Sequence, residues 1–267
     1  MRTNRFFWGV VIILLGTLFL LQNLGLLPWN LWAFFWPLFL ILLGAWFILG
    51  PRFVRRSSEV QHLTIPLESA SEAAIEFNHG AGRLKVSSTV APGVLLQGDF
   101  IGGVKQSLYR TGSQARLKVS ADVDFPSGFP WTAGQEGFLW DVQLAEGLPL
   151  DLVFNTGAGE NQIDLRSAIV RNLVLKTGAS STIITLPERA GLTRAEVQAG
   201  AASVILRVPQ GVAGRIIMNS GLVGTKIDTD RFPLSGSNYE TPGFESAQNR
   251  VEIKVEAGVS SIEVVGG

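Results

Sequence analysis

The chain has 267 residues, of which 22 are basic, 22 acidic and none cysteine. The absence of cysteine excludes disulfides and thiolate metal sites. The balanced charge conceals a split, because all 22 acidic residues follow Arg56 while only 17 of the basic ones do; a mildly acidic remainder without basic clusters argues against a nucleic-acid partner.

From Phe6 to Pro51 there is no charged residue. One membrane-spanning helix needs about 20 apolar residues, so the run suffices for two. The segment Asn23-Leu24-Gly25-Leu26-Leu27-Pro28-Trp29-Asn30 supplies the turn between them, since proline lacks an amide donor and disfavours helix in the residue before it. Helices are expected at about 6–26 and 31–49, each about 30 Å long; hydrocarbon leaves these segments no other way to satisfy their backbone. Arg2 and Arg5 precede the first helix and Arg52, Arg55 and Arg56 follow the second, with no basic residue in the turn. The positive-inside bias therefore puts both termini, and the rest of the chain with them, in the cytoplasm of a multi-pass plasma-membrane protein. Trp8 and Trp46 fall at the inner interface and Trp29 and Trp32 at the outer one. A cleaved signal peptide fits poorly, because the apolar run is too long and no small-x-small site follows the first helix. Gly9 and Gly16 share one face of the first helix, where a missing Cβ permits close approach; that face is expected to meet the second helix near Gly44 and Ala33.

Residues 57–267 are expected to form a single all-β domain behind this 1–56 anchor. One motif is written six times, as Phe77-Asn78-His79-Gly80-Ala81-Gly82, Phe154-Asn155-Thr156-Gly157-Ala158-Gly159, Leu175-Lys176-Thr177-Gly178-Ala179-Ser180, Val197-Gln198-Ala199-Gly200-Ala201-Ala202, Met218-Asn219-Ser220-Gly221-Leu222-Val223 and Val255-Glu256-Ala257-Gly258-Val259-Ser260. An alternating segment such as Leu84-Lys85-Val86 or Ile163-Asp164-Leu165 follows, as in a half-buried strand. The glycines at 157, 178, 200 and 221 are 21 or 22 residues apart, a period that implies stacked units and a β-solenoid-like or stacked sheet. The six middle glycines, Gly80, Gly157, Gly178, Gly200, Gly221 and Gly258, are expected at sharp turns, supplying either a backbone conformation barred to other residues or room for a neighbouring coil. A phosphate-cradling loop is excluded, because no Gly-x-x-x-x-Gly-Lys-Ser/Thr occurs and no helix follows these glycines.

Two segments break the period and are expected as loop insertions. Residues 122–137 are rich in glycine and proline and carry Phe125, Phe129 and Trp131; these rings either cap the β stack or form a contact surface for a protein or the bilayer. The second, 232–247, widens the last glycine spacing to 37. No catalytic, cofactor or metal site emerges. His62 reads as an exposed strand position and His79 as a tolerated turn position, since its sister copies carry Thr, Ala or Ser. Acidic residues such as Asp164, Asp228 and Glu263 fall on the polar phase of strands, where a solvated face explains them.

Phe6-Phe7-Trp8-Gly9, the run Leu14 to Leu27 and Trp36-Pro37-Leu38-Phe39-Leu40-Ile41-Leu42-Leu43-Gly44 resemble the LiaI/LiaF-like transmembrane region. From about residue 60 the glycine-turn repeats resemble the toast-rack β domain, also described as an adhesin or cell-wall-antibiotic-response domain. The resemblance implies a non-enzymatic membrane protein whose partners are the lipid bilayer and a membrane sensor kinase or other envelope protein, acting as an accessory to envelope-stress signalling. It carries over no catalytic residues. The adhesin label implies a different class, a structural surface protein with its β domain outside.

Overall fold

The computed structural model describes residues 17, 36–44, 60–88, 91–122, 138–219 and 224–267. The chain divides into two units, Met1–Arg55 and Arg56–Gly267. In the first, residue 17 and residues 36–44 are helical, inside the two helices expected from hydropathy. Among the described residues no helix is long and apolar enough to cross a membrane. The expected hairpin turn, Gly9, Gly16 and the arginines Arg2, Arg5, Arg52, Arg55 and Arg56 lie outside the described residues; Gly44 lies within them.

In the second unit sixteen described strands form one hydrogen-bonded network. Three of them are long: β2 (Glu72–Ser87), β7 (Pro149–Asp164) and β8 (Ile169–Thr185). Each serves two sheets in turn. The first arm of β2 pairs with β5 (Gln114–Ala121) and its second arm with β6 (Phe138–Leu144). The first arm of β8 likewise pairs with β9 (Leu192–Ala199) and its second with β10 (Ser203–Val208). The other strands of the first sheet are β4 (Val104–Thr111), β11 (Ala213–Met218), the short β13 (Leu234–Ser235) and β14 (Asn238–Glu240), and β15 (Arg250–Ala257). The second sheet adds β1 (Val60–Pro66), β3 (Val94–Ile101), β12 (Gly224–Ile227) and β16 (Ser261–Gly266).

Alternation explains how both arms face one interior. In β2 the buried positions are Ala73, Ile75, Phe77 and His79, then Leu84 and Val86. In β7 they run Leu150, Leu152, Phe154, Thr156, then Asn161 and Ile163. The phase slips by one residue across the Gly-Ala-Gly corner, so the second arm turns its apolar set to the same core. Phe77 and Phe154 stack with centroids 5.0 Å apart, and each buried ring or Leu contributes about 1.5–3 kcal/mol of transfer free energy.

The structure corrects two expectations about the repeat. The glycines are not at chain-reversing turns: Gly80, Gly157 and Gly178 lie in the middle of β2, β7 and β8, and Gly200 and Gly258 just beyond the ends of β9 and β15. Gly221 is outside the described residues. The coils also do not follow chain order. They stack as β2, β7, β8, β9, β15, β11 in the first sheet, so the last coil of the chain inserts between the two before it. In the second sheet β16 correspondingly lies between β10 and β12. This departs from a simple solenoid, in which each period advances one place.

The segment 232–247 is an insertion with structure of its own. Phe232 is fully buried against Gly214, β13 and β14 form a hairpin on β11, and Phe244–Ser246 is a 3-10 turn. Arg215 anchors this cap through Glu240 and Glu245, each at 2.6 Å, with its guanidinium 4.1 Å from the Phe244 ring centroid.

Candidate functional site

Stacking the coils aligns equivalent motif positions into rows about 4.8 Å apart per strand. The row of middle glycines is exposed, and close approach of backbones is what requires them. A Cβ on Gly157 would lie 2.2 Å from the Gly80 carbonyl oxygen, one on Gly178 2.9 Å from that of Gly157, and one on Gly200 3.3 Å from that of Gly178. The special backbone conformation belongs instead to the last motif residue, with φ of 129° at Gly82 and 140° at Gly159. Beside this stripe runs a polar row, Asn78, Asn155, Lys176, Gln198 and Glu256, in which the Asn155 amide donates to Asn78 Oδ1 at 2.9 Å. Lys176, Gln198, Gly200, Asn219 and Glu256 line a shallow, open depression along it. Such a surface suits extended contact more than enclosure of a small substrate.

Under the same corner lies a buried polar tract. Thr156 donates to Thr177 Oγ1 at 2.9 Å, Asn161 donates to Thr182 Oγ1 at 2.8 Å, and Ser180 is within 3.1 Å of the Thr182 hydroxyl. These groups satisfy one another, which is the condition for burying them. His79 occupies the same row, directly opposite Thr156. It is 2% exposed, which corrects its reading as a turn position. Its ring meets Trp140 edge-on with centroids 4.9 Å apart and approaches Phe138 at 6.2 Å. Burial pushes its pKa down, against a hydrogen bond to the Phe138 backbone that pulls it up. Sequence reasoning missed this because the partners sit on β6, nearly 60 residues away, and because no other copy of the motif adjoins that strand.

His62 is exposed, as expected, and its Nδ1 lies 2.5 Å from Asp99 Oδ1. A His–Asp pair is part of a hydrolytic triad, but its cross-strand row continues through Asp141 and Lys85, which offer no hydroxyl nucleophile. The acidic groups singled out from the sequence sit with cations. Asp164 is held below the usual carboxylate range chiefly by its hydrogen bond from Arg166, and Glu263 meets Lys226 at 2.6 Å. A general acid needs the opposite shift. Among the described residues no group of His, Asp and Glu is arranged to hold a metal ion. Phe125, Phe129 and Trp131 lie outside the described residues.

Residues 54–207 match the family described as the N-terminal domain of toast_rack, and residues 6–48 match the LiaI-LiaF-like transmembrane region. The first match ends within β10, ahead of the coil that inserts out of order. Among solved structures, a candidate cell adhesion protein from Clostridium sporogenes aligns over 78% of this chain and 99% of its own, with 17% identity and a TM-score of 0.70. At that identity the likeness establishes a shared fold. A candidate adhesin from Bacteroides fragilis aligns over 79% of this chain and 100% of its own, at 8% identity and a TM-score of 0.31. Comparison with curated proteins finds no match.

Proposed function

This chain belongs to the toast-rack family, and on that premise we propose that it is a membrane-anchored interaction protein without catalytic activity. The observation that carries the reading is the order of parts on one chain, a LiaI-LiaF-like transmembrane region at 6–48 directly ahead of a toast-rack domain beginning at 54. Only five residues separate the two matches, so little chain lies between the transmembrane region and the toast-rack domain. Its outer surface, rows of amides and paired charges beside a smooth glycine stripe, supports protein contact better than chemistry. The finer reading is an accessory role in envelope-stress signalling, with the β domain on the cytoplasmic side and a membrane sensor kinase as partner. The five flanking arginines support that side.

A second reading takes the β domain outside, as an adhesive or structural surface protein. It draws on the Clostridium sporogenes neighbour, which is named for cell adhesion. Topology separates the two. A phosphatase reporter that works only outside the cytoplasm, fused after Gly267, is expected to stay inactive while a cytoplasmic fluorescent reporter at the same place works. The reverse pattern would remove the kinase-facing reading and leave the adhesive one. Crosslinking from intact membranes then identifies the partner on whichever side is found.

A further inference from the structure

Among the described residues, His79 is the one titratable group in the motif's inward row, and its copy borders a seam between strands. We propose that His79 is an acid-sensitive latch on this seam, and that protonating its imidazole releases β6 from the second arm of β2.

The seam has no slack. A Cβ on Gly82 would fall 2.1 Å from the Phe138 carbonyl oxygen, so β6 lies directly against the corner backbone. His79 pins it from inside, with its ring against Trp140 and Phe138 and a hydrogen bond to the Phe138 backbone. Its Nε2 is buried and has no hydrogen-bond partner among the described residues. In the neutral ring Nε2 leaves only an unmet lone pair, which costs far less to bury than an unpaired charge. Protonation puts an N–H and a full charge there, with no acceptor to meet it.

Beyond the Phe138 backbone, the packed elements among the described residues turn no ionisable group towards the ring. The inward side chains of the packed elements are Phe138 and Trp140 of β6, Thr156 and Asn161 of β7, Val119 of β5 and Phe77 and Leu84 of β2 itself, and none of these titrates. The ionisable neighbours are turned outward and engaged elsewhere. Glu76 pairs with Lys118 at 3.1 Å, Arg83 with Glu160 at 3.3 Å, Lys85 with Asp141 at 3.1 Å, and Asp122 beyond β5 with Lys105. The indole favours a cation over its face, and the two rings stand edge to face at 68°, but loss of hydration is the larger influence on His79 and disfavours its charged form.

The sign follows from linkage. The folded chain holds His79 neutral below the ordinary histidine value, while an opened seam lets it titrate near about 6.5. Above that pH both forms are neutral and the latch contributes in full. As pH falls below it the opened form gains a proton the closed form resists, so closure weakens by up to about tenfold per pH unit until the closed-state pKa is reached. What opens is defined by the topology. In the second sheet the order is β1, β3, β6, β2, so β6 is the link that carries β3 and β1. Release bares the edge of β2 at Gly82–Ser87, a template for strand addition by a partner.

The test uses the full chain in detergent micelles, where His62 and His79 are the only histidine signals. Proton NMR of a His62→Gln variant reads His79 alone, and its resonance is expected to titrate below about 6.5. Amide exchange at 138–144, corrected for intrinsic rate and compared with the first arms of β7 and β8, is expected to rise between pH 7 and pH 5, by no more than about tenfold per pH unit. His79→Thr, the residue of the neighbouring copies, is expected to abolish the rise; His62→Gln is expected to keep it. A His79 resonance titrating at or above the ordinary value overturns the latch, as does pH-independent exchange in β6, or the same rise with Thr at 79. Should the Thr variant fail to fold, titration and exchange in the His62→Gln chain decide alone.

Discussion

A graded series of single methyl groups tests the glycine stripe, because equivalent positions differ in how much room the neighbouring coil leaves. Gly157→Ala would force a Cβ to within 2.2 Å of a carbonyl oxygen that is itself fixed in a strand. Overpacking of this kind costs about 1–3 kcal/mol or more, which in a domain of this size lowers the thermal midpoint by about 2–4 °C per kcal/mol. The cost should shrink through Gly178→Ala, at 2.9 Å, to Gly200→Ala, at 3.3 Å, and be least at Gly80→Ala, where a Cβ meets nothing within 4 Å. Equal midpoints across the series would show that spacing between coils is not what selects glycine here. The need for a small residue was legible in the repeat itself, and so was the choice between strained conformation and close approach. Which residue had which reason was not. That depends on the neighbouring coil's backbone, and the positive φ falls two residues on, at Gly82 and Gly159. His79 was misread for a related reason: comparing copies shows what a position tolerates, not what a unique neighbour such as β6 demands.

At the level of elements, strand content and the inward alternation followed from period-2 patterning, whereas strand order did not. Hydrophobic alternation marks which face a strand buries and is blind to which strand lies beside it. Nothing in the shared pattern of the motifs at Met218 and Val255 distinguishes an outer coil from an inserted one. The consequence is testable, since β15 and β16 are flanked on both sides by strands formed earlier in the chain. Ile253, fully buried in β15, should lose about 2–5 kcal/mol on truncation to Ala. Ending the chain at residue 247 should do more, leaving β9 and β11 without their shared neighbour and collapsing β11–β14, read as lost amide protection at 213–218 while β7 and β8 stay protected. Retained protection there would mean the terminal cap folds independently of the inserted coil. Phe232→Ala probes the same cap from its core and should cost about 3–5 kcal/mol, because the ring is fully buried and presses within 2.8 Å of the place a Gly214 Cβ would take.

For the molecule as a whole, the division into an apolar, arginine-flanked anchor and an acidic β unit was the most legible feature, because it rests on composition over tens of residues. The aromatic segment between β5 and β6 carries Phe125, Phe129 and Trp131 separated by prolines and glycine, residue types that disfavour a regular helix or central strand. Rings in such a segment either complete the core or wait for a partner, and the two fates separate in one measurement. A buried Trp truncated to Ala costs about 3–5 kcal/mol. An interface Trp costs little stability and much affinity, since Trp is enriched at the centre of interfaces. Val204, fully buried in β10, provides the scale, and Val204→Ala in residues 57–267 sets the midpoint drop expected of a core change. The segment adjoins the strand carrying Leu117 and Val119, which favours core packing for Phe125; Trp131 lies farther along and is expected to face outward. Trp131→Ala should therefore leave the thermal midpoint within a degree or two of the parent, well short of Val204→Ala. If the two variants fall together, Trp131 is part of the core, and the contact surface must be sought along the amide row beside the glycine stripe.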